Sequence, residues 1–432
     1  MSRSAAVPVD DAVLRELDAA VDALRAEREA FLAELVRFPS TLGHEREVQA
    51  RMADAFAEAG FEVDAFTSDW TDLPGAAPVD WDPRDRPTVL GRHRVAEPLG
   101  RSLILNGHVD VVPAGPEELW SSPPFEPVVR DGWMVGRGAG DMKSGIAAYL
   151  YAVHAVRRAG FEPASELTVQ SVIEEECTGN GALAAALHGP RADGAVIPEP
   201  FDRTVLLQQV GVAWAKATVH GRPTHVLEAT AGADAIRLAW ELVAELRRFE
   251  EEQNRPEALP PGYAEQEHPI HLNVGRIEGG EWPSSVPAAC TLRLRIGVPP
   301  GDTVADVQRR VEERVAAFAA AHPVLATRPP RLEWIGFHAE PYGVAPDAPL
   351  VRELAAVHRE LTGADPAELH TTATTDARIV AGAGGTPATC YGPRARAIHG
   401  VDEAVELDSV HEVTRVLARF VARWCGLRRR SR

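Results

Sequence analysis

Cysteine is scarce in this chain, and long apolar runs are absent. The four cysteines among 432 residues are scattered and form no Cys-x-x-Cys pair, so the sequence predicts neither a disulfide framework nor a thiolate zinc site. No apolar run approaches the roughly 18 residues of a membrane span, and the N-terminal residues reach acidic side chains before a signal-peptide core is complete. We therefore expect a cytoplasmic protein with reduced thiols and no membrane partner.

A surplus of basic residues is also missing. The chain has 45 Lys and Arg against 63 Asp and Glu, which gives a formal net charge of −18. Because nucleic-acid-binding proteins neutralise phosphates with a basic surface, this balance argues against nucleic acid as a partner. Hydrophobic residues at 45% and charged residues at 25% are typical of soluble globular proteins, so we expect a buried core.

Several catalytic and nucleotide-binding signatures do not occur. There is no Gly-x-Ser-x-Gly nucleophile elbow and no His-Glu-x-x-His helix. The glycine-rich stretch 136–145 looks like a phosphate-binding loop, but Met142 stands where a P-loop has glycine, and Asp141 stands where a dinucleotide loop has its last glycine. Glycines that bring the backbone close around a carboxylate fit a metal site better.

The order of the hydrophobic patterns predicts an α/β protein. Apolar residues at helical spacing predict helices over 11–38 and 45–59, and the Asp-, Pro-, Gly- and Arg-rich residues 67–100 predict an irregular surface segment. Strand and helix patterns then alternate from 102 to 197, and the final part of the chain returns to this style. This alternation favours a mixed, largely parallel sheet flanked by helices.

A different order of elements separates these two α/β parts. Between residues 212 and 336, four strand patterns and two helix patterns follow one another as β-α-β-β-α-β, the order of a ferredoxin-like unit. We therefore predict a catalytic α/β domain of residues 1–208 plus 339–432, interrupted by an inserted ferredoxin-like α+β domain of residues 209–338.

Polar residues with metal-binding side chains follow the ends of several predicted strands: His108 and Asp110, Glu174–Glu176, Glu199, and His399 beyond Tyr391. Taken singly, each has an ordinary explanation as a hydrogen-bonded histidine, a solvated charge cluster or a surface turn. In open α/β sheets, however, ligands bind at the carboxyl ends of the strands. The sequence therefore predicts that these side chains meet in one site.

The same segments resemble a known family. They are similar to the motifs of the dizinc amidohydrolases, which include acetylornithine deacetylase, succinyl-diaminopimelate desuccinylase and carboxypeptidase G. The resemblance runs from about residue 38 to residue 424. The motifs that carry it are Leu105–Pro113, Gly136–Gly145, Glu174–Gly179, Glu199-Pro200 and Ile398–Glu403.

The resemblance implies two zinc ions per chain, for which Co²⁺ or Mn²⁺ can substitute, with Asp141 as the bridging carboxylate. It implies that His108 and Glu199 complete one zinc site and that Glu176 and His399 complete the other. It further implies that Asp110 holds His108 by a hydrogen bond and that Glu175 is the general base. Because three glutamates stand in a row, a shift by one residue would exchange the roles of base and ligand. Imidazole and carboxylate groups are ligands that suit zinc.

The resemblance also covers the inserted domain, where it implies a lid and dimerisation function. His225 is similar to a histidine that reaches across a homodimer to polarise the substrate carbonyl, and Asn273 and Arg295 fall where relatives contact substrate. Arg378 is a further candidate for binding a substrate carboxylate, although an arginine in such a place is also commonly a surface salt bridge.

The expected activity is hydrolysis of the amide bond of a small N-acyl amino acid or N-acyl amine, as in acetylornithine deacetylase. Two alternatives on the same scaffold are a formylaminopyrimidine deformylase of thiamine salvage and a carboxypeptidase or dipeptidase. A non-enzymatic alternative is a catalytically silent zinc-binding assembly module. Such a module would lack a base or a ligand, and none is missing from the motifs.

Overall fold

The computed structural model describes residues 6–82 and 84–430, and for Thr71 it describes the backbone only. The prediction for the extreme N-terminus concerns in part residues 1–5, which lie outside this range. The α-helices within it are α1 (Asp11–Ala23), α2 (Arg25–Val36), α3 (Arg46–Glu58), α4 (Ser144–Arg158), α5 (Asn180–His188), α6 (Ala235–Gln253), α7 (Val304–Ala321), α8 (Pro349–Thr362), α9 (Ala377–Gly382) and α10 (Leu407–Cys425).

The strands of the same described residues form a large six-stranded sheet, two four-stranded sheets, a three-stranded sheet and a two-stranded sheet. They are β1 (Glu62–Thr67), β2 (Pro87–His93), β3 (Leu103–His108), β4 (Val128–Arg130), β5 (Trp133–Val135), β6 (Phe161–Pro163), β7 (Leu167–Val172), β8 (Gly194–Ile197), β9 (Val205–Gln209), β10 (Gly211–His220), β11 (Leu272–Gly279), β12 (Ala289–Val298), β13 (Arg331–Ala339), β14 (Tyr342–Gly343), β15 (Glu368–Thr371), β16 (Ala388–Cys390), β17 (Ala395–Arg396), β18 (Ala404–Glu406) and β19 (Leu427–Arg429).

The large sheet has the strand order β1-β2-β7-β3-β8-β16. Its pairings are antiparallel from β1 to β7 and parallel from β7 to β16. Helices cover both faces, because α1, α2, α4 and α10 share the main apolar core with one face while α5 packs with β2 and β7 on the other. The predicted mixed α/β sheet flanked by helices is confirmed.

The inserted sheet has the order β11-β12-β10-β13, and all its neighbouring strands are antiparallel. Helices α6 and α7 pack on one face and form an apolar core separate from that of the large sheet. The predicted β-α-β-β-α-β order is therefore confirmed, and the strands of this unit run from Gly211 to Ala339. The residue-level domain boundaries at 208/209 and 338/339 stay a prediction.

Two local predictions were wrong. The segment 67–100 is not irregular throughout, because β2 lies within it, between β1 and β7, with its central residues buried. Its flanking prolines and charged residues concealed a strand that is held by its two neighbours. The single helix predicted over 11–38 is two helices that meet at Leu24, whose backbone leaves the helical region.

The cysteines and the helices agree with the expectations from composition. All four cysteines are free and buried. Among the described residues, no helix combines the length and the apolar character that crossing a membrane requires.

Candidate metal and active site

The first group of possible metal ligands lies where two parallel strands of the large sheet end. Strand β3 ends at His108, and the neighbouring β8 ends shortly before Glu199. Asp141 comes from the segment directly before α4. The ligand atoms of these three side chains lie within 4.8 Å of one another, and His108 Nε2 is 3.1 Å from Asp141 Oδ1.

A close backbone contact brings Asp141 to this edge. Gly145, in the first turn of α4, lies against the carbonyl of Pro198, and an added Cβ would lie only 2.1 Å from that oxygen. Only glycine fits at this approach, since backbone cannot give way as a flexible side chain can. The glycine-rich stretch therefore places a carboxylate beside the strand end that carries Glu199. The peptide bond from Asp141 to Met142 is cis.

The second group shares Asp141 with the first. It adds Glu176, from the turn after β7, and His399, and its ligand atoms also lie within 4.8 Å of one another. His399 Nε2 is 2.9 Å from Glu176 Oε2 and 3.5 Å from Asp141 Oδ2. The five predicted metal ligands are thus brought together as two overlapping triads with one common carboxylate.

His108 is held in the orientation that a metal ligand needs. Its Nδ1 donates to the backbone carbonyl of Asp110 at 3.0 Å, and because a carbonyl only accepts, this nitrogen carries the proton. Nε2, on the other side of the ring, lies 3.1 Å from Asp141 Oδ1, where the two side chains would hold one metal ion together. The carboxylate of Asp110 lies farther from Nδ1, at 3.6 Å, and accepts from the amides of Glu175 and Glu176 at 3.4 and 3.2 Å. Asp110 thus holds both the imidazole and the turn that carries the two glutamates.

Glu175 is buried beside this centre. Its Oε2 is 4.0 Å from His108 Nε2, and its Oε1 has no hydrogen-bond partner among the described residues. Burial raises the pKa of Glu175 well above its usual range, and the charges of Asp376 and Glu199 raise it further, although His108 opposes them. Burial likewise raises the pKa of Asp110 to about 7.

Sequence reasoning missed Asp376. This residue is 1% exposed, and neither of its carboxylate oxygens has a hydrogen-bond partner among the described residues. Burial raises its pKa to about 6. In the segment Thr375–Arg378, the sequence analysis named Arg378 and passed over Asp376. The signal that could have found Asp376 is its acidic side chain two positions before that arginine.

The donor set fits divalent cations. Within the part of the chain that the structure describes, no Lys or Arg lies within salt-bridge distance of Asp141, Glu176 or Glu199, and histidine is their only cationic neighbour. Burial lowers the pKa of His399, but the charge of Glu176 and hydrogen bonds to both carboxylates outweigh it and raise the pKa to about 11. The carboxylates therefore attract positive charge strongly, and oxygen and imidazole donors in this number suit zinc.

A cleft of about 820 Å³ opens over this centre, between the large sheet and the inserted sheet. Glu175, Glu176, Glu199 and His399 lie on one side, and Trp214, Asn273, Arg295 and Phe337 lie on the other. The Trp214 and Phe337 rings meet edge to face, with centroids 5.2 Å apart. Asn273 and Arg295 therefore lie where they can contact a bound molecule.

Four predicted site residues are not part of the cleft lining: His108 and Asp110, which lie beneath it at the metal-binding centre, and Arg378 and His225. Arg378 is buried behind it, where its guanidinium donates to the carbonyl of Thr178 at 3.1 Å and to Thr374 Oγ1 at 3.2 Å. His225 is exposed, and its Nδ1 accepts from the amide of Leu227 at 3.1 Å. Within the described chain neither contacts the metal-binding residues, and their roles stay predictions.

A third His and Glu cluster, Glu250, His268 and His271, lies at the cleft rim. Its carboxylate is already satisfied, because Glu250 accepts from the amide of Leu272 at 2.7 Å and from Arg247 at 2.6 Å. The nearby guanidinium also disfavours a divalent cation, so this cluster holds the loop before β11.

The chain is similar to several known proteins along most of its length. Among curated proteins, the N-formyl-4-amino-5-aminomethyl-2-methylpyrimidine deformylase of Halalkalibacterium halodurans is 29% identical, covering 96% of this chain and 99% of its own. The succinyl-diaminopimelate desuccinylase of Stenotrophomonas maltophilia is 29% identical, covering 90% and 97%. A dipeptidase of Saccharomyces cerevisiae has the same fold, with a TM-score of 0.79 at 16% identity and coverage of 95% and 98%. Residues 104–423 match the profile of peptidase family M20/M25/M40, and the chain belongs to that family.

Proposed function

We propose that this protein is a dizinc deacylase that removes a small acyl group from an N-acyl amino acid or N-acyl amine. The family membership makes it a metal-dependent hydrolase of amide bonds. The observation that carries the finer proposal is the sharing of Asp141 by two ligand triads, His108–Asp141–Glu199 and Asp141–Glu176–His399. A shared carboxylate holds two cations close together, as two-metal hydrolysis requires.

The chemistry divides between the metals and the protein. When bound, the zinc ions supply Lewis acidity that acidifies a water molecule and polarises the scissile carbonyl. Glu175 accepts the proton of the attacking water at its unpartnered Oε1 and delivers it to the leaving nitrogen as the C–N bond breaks. The products are a carboxylic acid and a free amine. Asp110 keeps the turn of Glu175 in place through its two amide contacts.

The inserted sheet supplies the substrate contacts in this proposal. Arg295 faces the cleft, its guanidinium donates only to backbone carbonyls, and Asn273 pairs with it in register on the adjacent strand. Both are therefore available to polar groups of the substrate. The edge-to-face pair of Trp214 and Phe337 offers an apolar surface beside them.

A formylaminopyrimidine is a second candidate substrate, in which the acyl group is formyl. Two observations favour it: deformylases of this kind are similar along nearly the whole chain, and an aromatic wall suits a flat heterocycle. A carboxypeptidase or dipeptidase activity would instead require the cleft to accept a peptide on both sides of the scissile bond.

We also propose a homodimer formed through the inserted domain. Strand β11 is an edge of its sheet, and large apolar side chains around it are exposed, with Leu227 86%, Trp282 69% and Trp240 57% accessible. Apolar side chains that are exposed beside an unpaired strand edge are typical of a surface that binds another protein chain. In a dimer, His225 of one protomer would reach the cleft of the other. Light scattering should give twice the chain mass, and Trp282→Asp should give a monomer with reduced activity.

Cytoplasmic localisation belongs to the same proposal. The free, buried cysteines support it, since such thiols persist in a reducing compartment.

A substrate panel and a metal analysis test the proposed activity. Purified protein should hold about two zinc equivalents per chain, and it should turn over N-formyl, N-acetyl or N-succinyl compounds faster than dipeptides. Chelation should abolish turnover and added zinc should restore it. Full activity in metal-free protein would contradict the mechanism, and a preference for dipeptides would contradict the deacylase assignment while leaving the metal centre intact.

A further inference from the structure

Residues 70–82, here called the strap, run between the two sheets and contact the inserted sheet directly. The carbonyl of Pro78 accepts from the amide of Gly336 on β13 at 2.7 Å. The carboxylate of Asp80 accepts from both terminal nitrogens of Arg293 on β12, at 3.3 and 2.8 Å. The strap is therefore attached to the inserted sheet by a backbone hydrogen bond at Pro78 and by a two-point salt bridge at Asp80. A shift of the inserted sheet should move the strap with it.

The same strap is fastened to the turn that carries Glu175 and Glu176, here called the catalytic turn (residues 174–179). The indole nitrogens of Trp70 and Trp81 both donate to Oε1 of Glu174, at 3.2 and 2.9 Å. Arg86, just beyond the strap, forms a buried ion pair with the same carboxylate. The side chain of Asn180 adds two hydrogen bonds to the backbone of Ala77, at 2.8 and 3.1 Å.

Glu174 also organises the catalytic turn itself. Its backbone carbonyl accepts from the amides of Thr178 and Gly179 at 2.9 and 2.7 Å, and its carboxylate accepts from Thr178 Oγ1 at 2.7 Å. It is fully buried and has a φ of +62°, in the left-handed region. This backbone turns its side chain toward the strap while Glu175 and Glu176 face the cleft. One buried carboxylate thus contacts both the strap and the turn.

We propose that Glu174 is a positioning residue that links the strap to the catalytic turn, so that the seating of the inserted sheet on the strap fixes the position of Glu175. The buried carboxylate of Glu174 accepts from several donors at once, and losing any of these hydrogen bonds is costly in a low-dielectric interior. A movement of one donor should therefore move the carboxylate and the residues attached to it. The role of Glu175 rests on the proposed function, whereas the mechanical link does not.

Hydrogen exchange tests the link without any substrate. In Asp80→Ala, which removes the salt bridge to the inserted sheet, the amides of Cys177, Thr178 and Gly179 should exchange about fivefold faster. The matched control is Asp82→Ala, because Asp82 lies at the end of the strap and, among the residues that the structure describes, forms a salt bridge with the exposed Arg84 alone; the exchange of the same amides should change less than about twofold. Unchanged exchange in Asp80→Ala, or equal acceleration in both variants, would overturn the link.

Kinetics test the consequence for catalysis. Glu174→Gln and Asp80→Ala should each lower kcat about tenfold with a smaller change in KM and with zinc content retained. The double variant should be no slower than Glu174→Gln alone, because the second change has lost its route to Glu175. If Glu174→Gln does not fold, Trp81→Phe takes its place, since it removes one donor to Glu174 and keeps the ring. The positioning role would be refuted if the losses in kcat of the two single variants multiplied in the double variant. It would also be refuted if Glu174→Gln lowered Tm and left kcat unchanged.

The two readouts separate this inference from the proposed function. If the unmodified protein turned over none of the N-acyl compounds, the deacylase proposal would fail, and the exchange experiment would still decide whether the strap and the turn are linked.

Discussion

The two walls of the cleft, the large sheet and the inserted sheet, differ in whether their charged side chains are paired. On the large sheet, the carboxylates of Asp141, Glu176 and Glu199 crowd together with no Lys or Arg partner in the described chain. On the inserted sheet, three of the cations are already paired, Arg276 with Glu278, Arg293 with Asp80 at 2.8 Å and Lys216 with Glu333 at 3.6 Å. Arg295 is the exception, because its guanidinium contacts backbone carbonyls only.

This difference separates the tasks of the two walls. Negative charge that is left uncompensated in a buried place selects divalent cations and therefore serves the reaction itself. Cations that are already paired with a carboxylate contribute little to the binding of an anion, so among the described residues of this wall Arg295 is left to recognise the substrate. Changes at the metal-binding residues should therefore alter kcat and metal content, whereas a change at Arg295, which does not hold the strap, should alter KM.

The largest effect is expected at Glu175. Glu175→Gln keeps the shape of the side chain but removes the proton acceptor, so kcat should fall by about a thousandfold or more with zinc content unchanged. Steady-state kinetics and metal analysis on one preparation check this. Retained activity with lost zinc would show that base and ligand are exchanged among the three adjacent glutamates.

The next effect distinguishes the two triads. The side chain of His399 is 50% exposed and that of His108 is 1% exposed, so a chelator should reach the ion of the His399 triad first. Graded chelation should then release zinc in two steps, and His399→Ala should bind at least about tenfold more weakly at that site only. Release of both ions in a single step would contradict the difference between the triads.

A smaller effect is expected at Asp110, which contacts no metal directly in this proposal. Asp110→Asn keeps the size of the side chain and one oxygen that can accept from the amide of Glu175 or of Glu176, but it loses the second acceptor and the charge next to His108. Zinc affinity or kcat should fall about 10- to 100-fold. Titration with a zinc indicator measures the zinc affinity, and kinetics at saturating zinc measure kcat separately from it. If both values equalled those of the unmodified protein, Asp110 would have no role in the site.

The smallest effect is expected on the inserted sheet. Arg295→Gln should raise KM about tenfold for substrates that carry a carboxylate, with kcat and zinc content nearly unchanged. Arg276→Gln is the matched control, because that guanidinium also lines the cleft but is paired with Glu278; its KM should change less than about twofold. A large fall in kcat for Arg295→Gln would contradict the assignment of substrate recognition to Arg295 and of the reaction to the opposite wall.

Much of the fold was predictable because local patterns and pairing agree. The helix over Val304–Ala321 and the strand over Gly194–Ile197 coincide with their hydrophobic patterns. Strand β2 was not predictable, because its polar flanks resemble a loop and only its neighbours β1 and β7 make it a strand. Periodicity is a local signal, and β2 depends on residues far away in the chain.

The site divides in the same manner. His108, Glu176 and Glu199 follow strands whose parallel order brings their ends together, so topology alone indicates that they meet. His399 was predicted to join them from its position beyond Tyr391, although it follows β16 only at a distance. Asp376 and the strap carry no pattern of their own, since their importance comes from burial and from partners that are known only once the chain is folded.

The shared position of Asp141 has a consequence for how the enzyme matures. The triad with His108 and Glu199 is complete once the chain has been synthesised to Glu199, whereas the other waits for His399, which lies 223 residues beyond Glu176. The whole inserted sheet is made in that interval and can fold as a unit with its own core. The ligands of the triad with the buried His108 are therefore synthesised first, and the exposed His399 last.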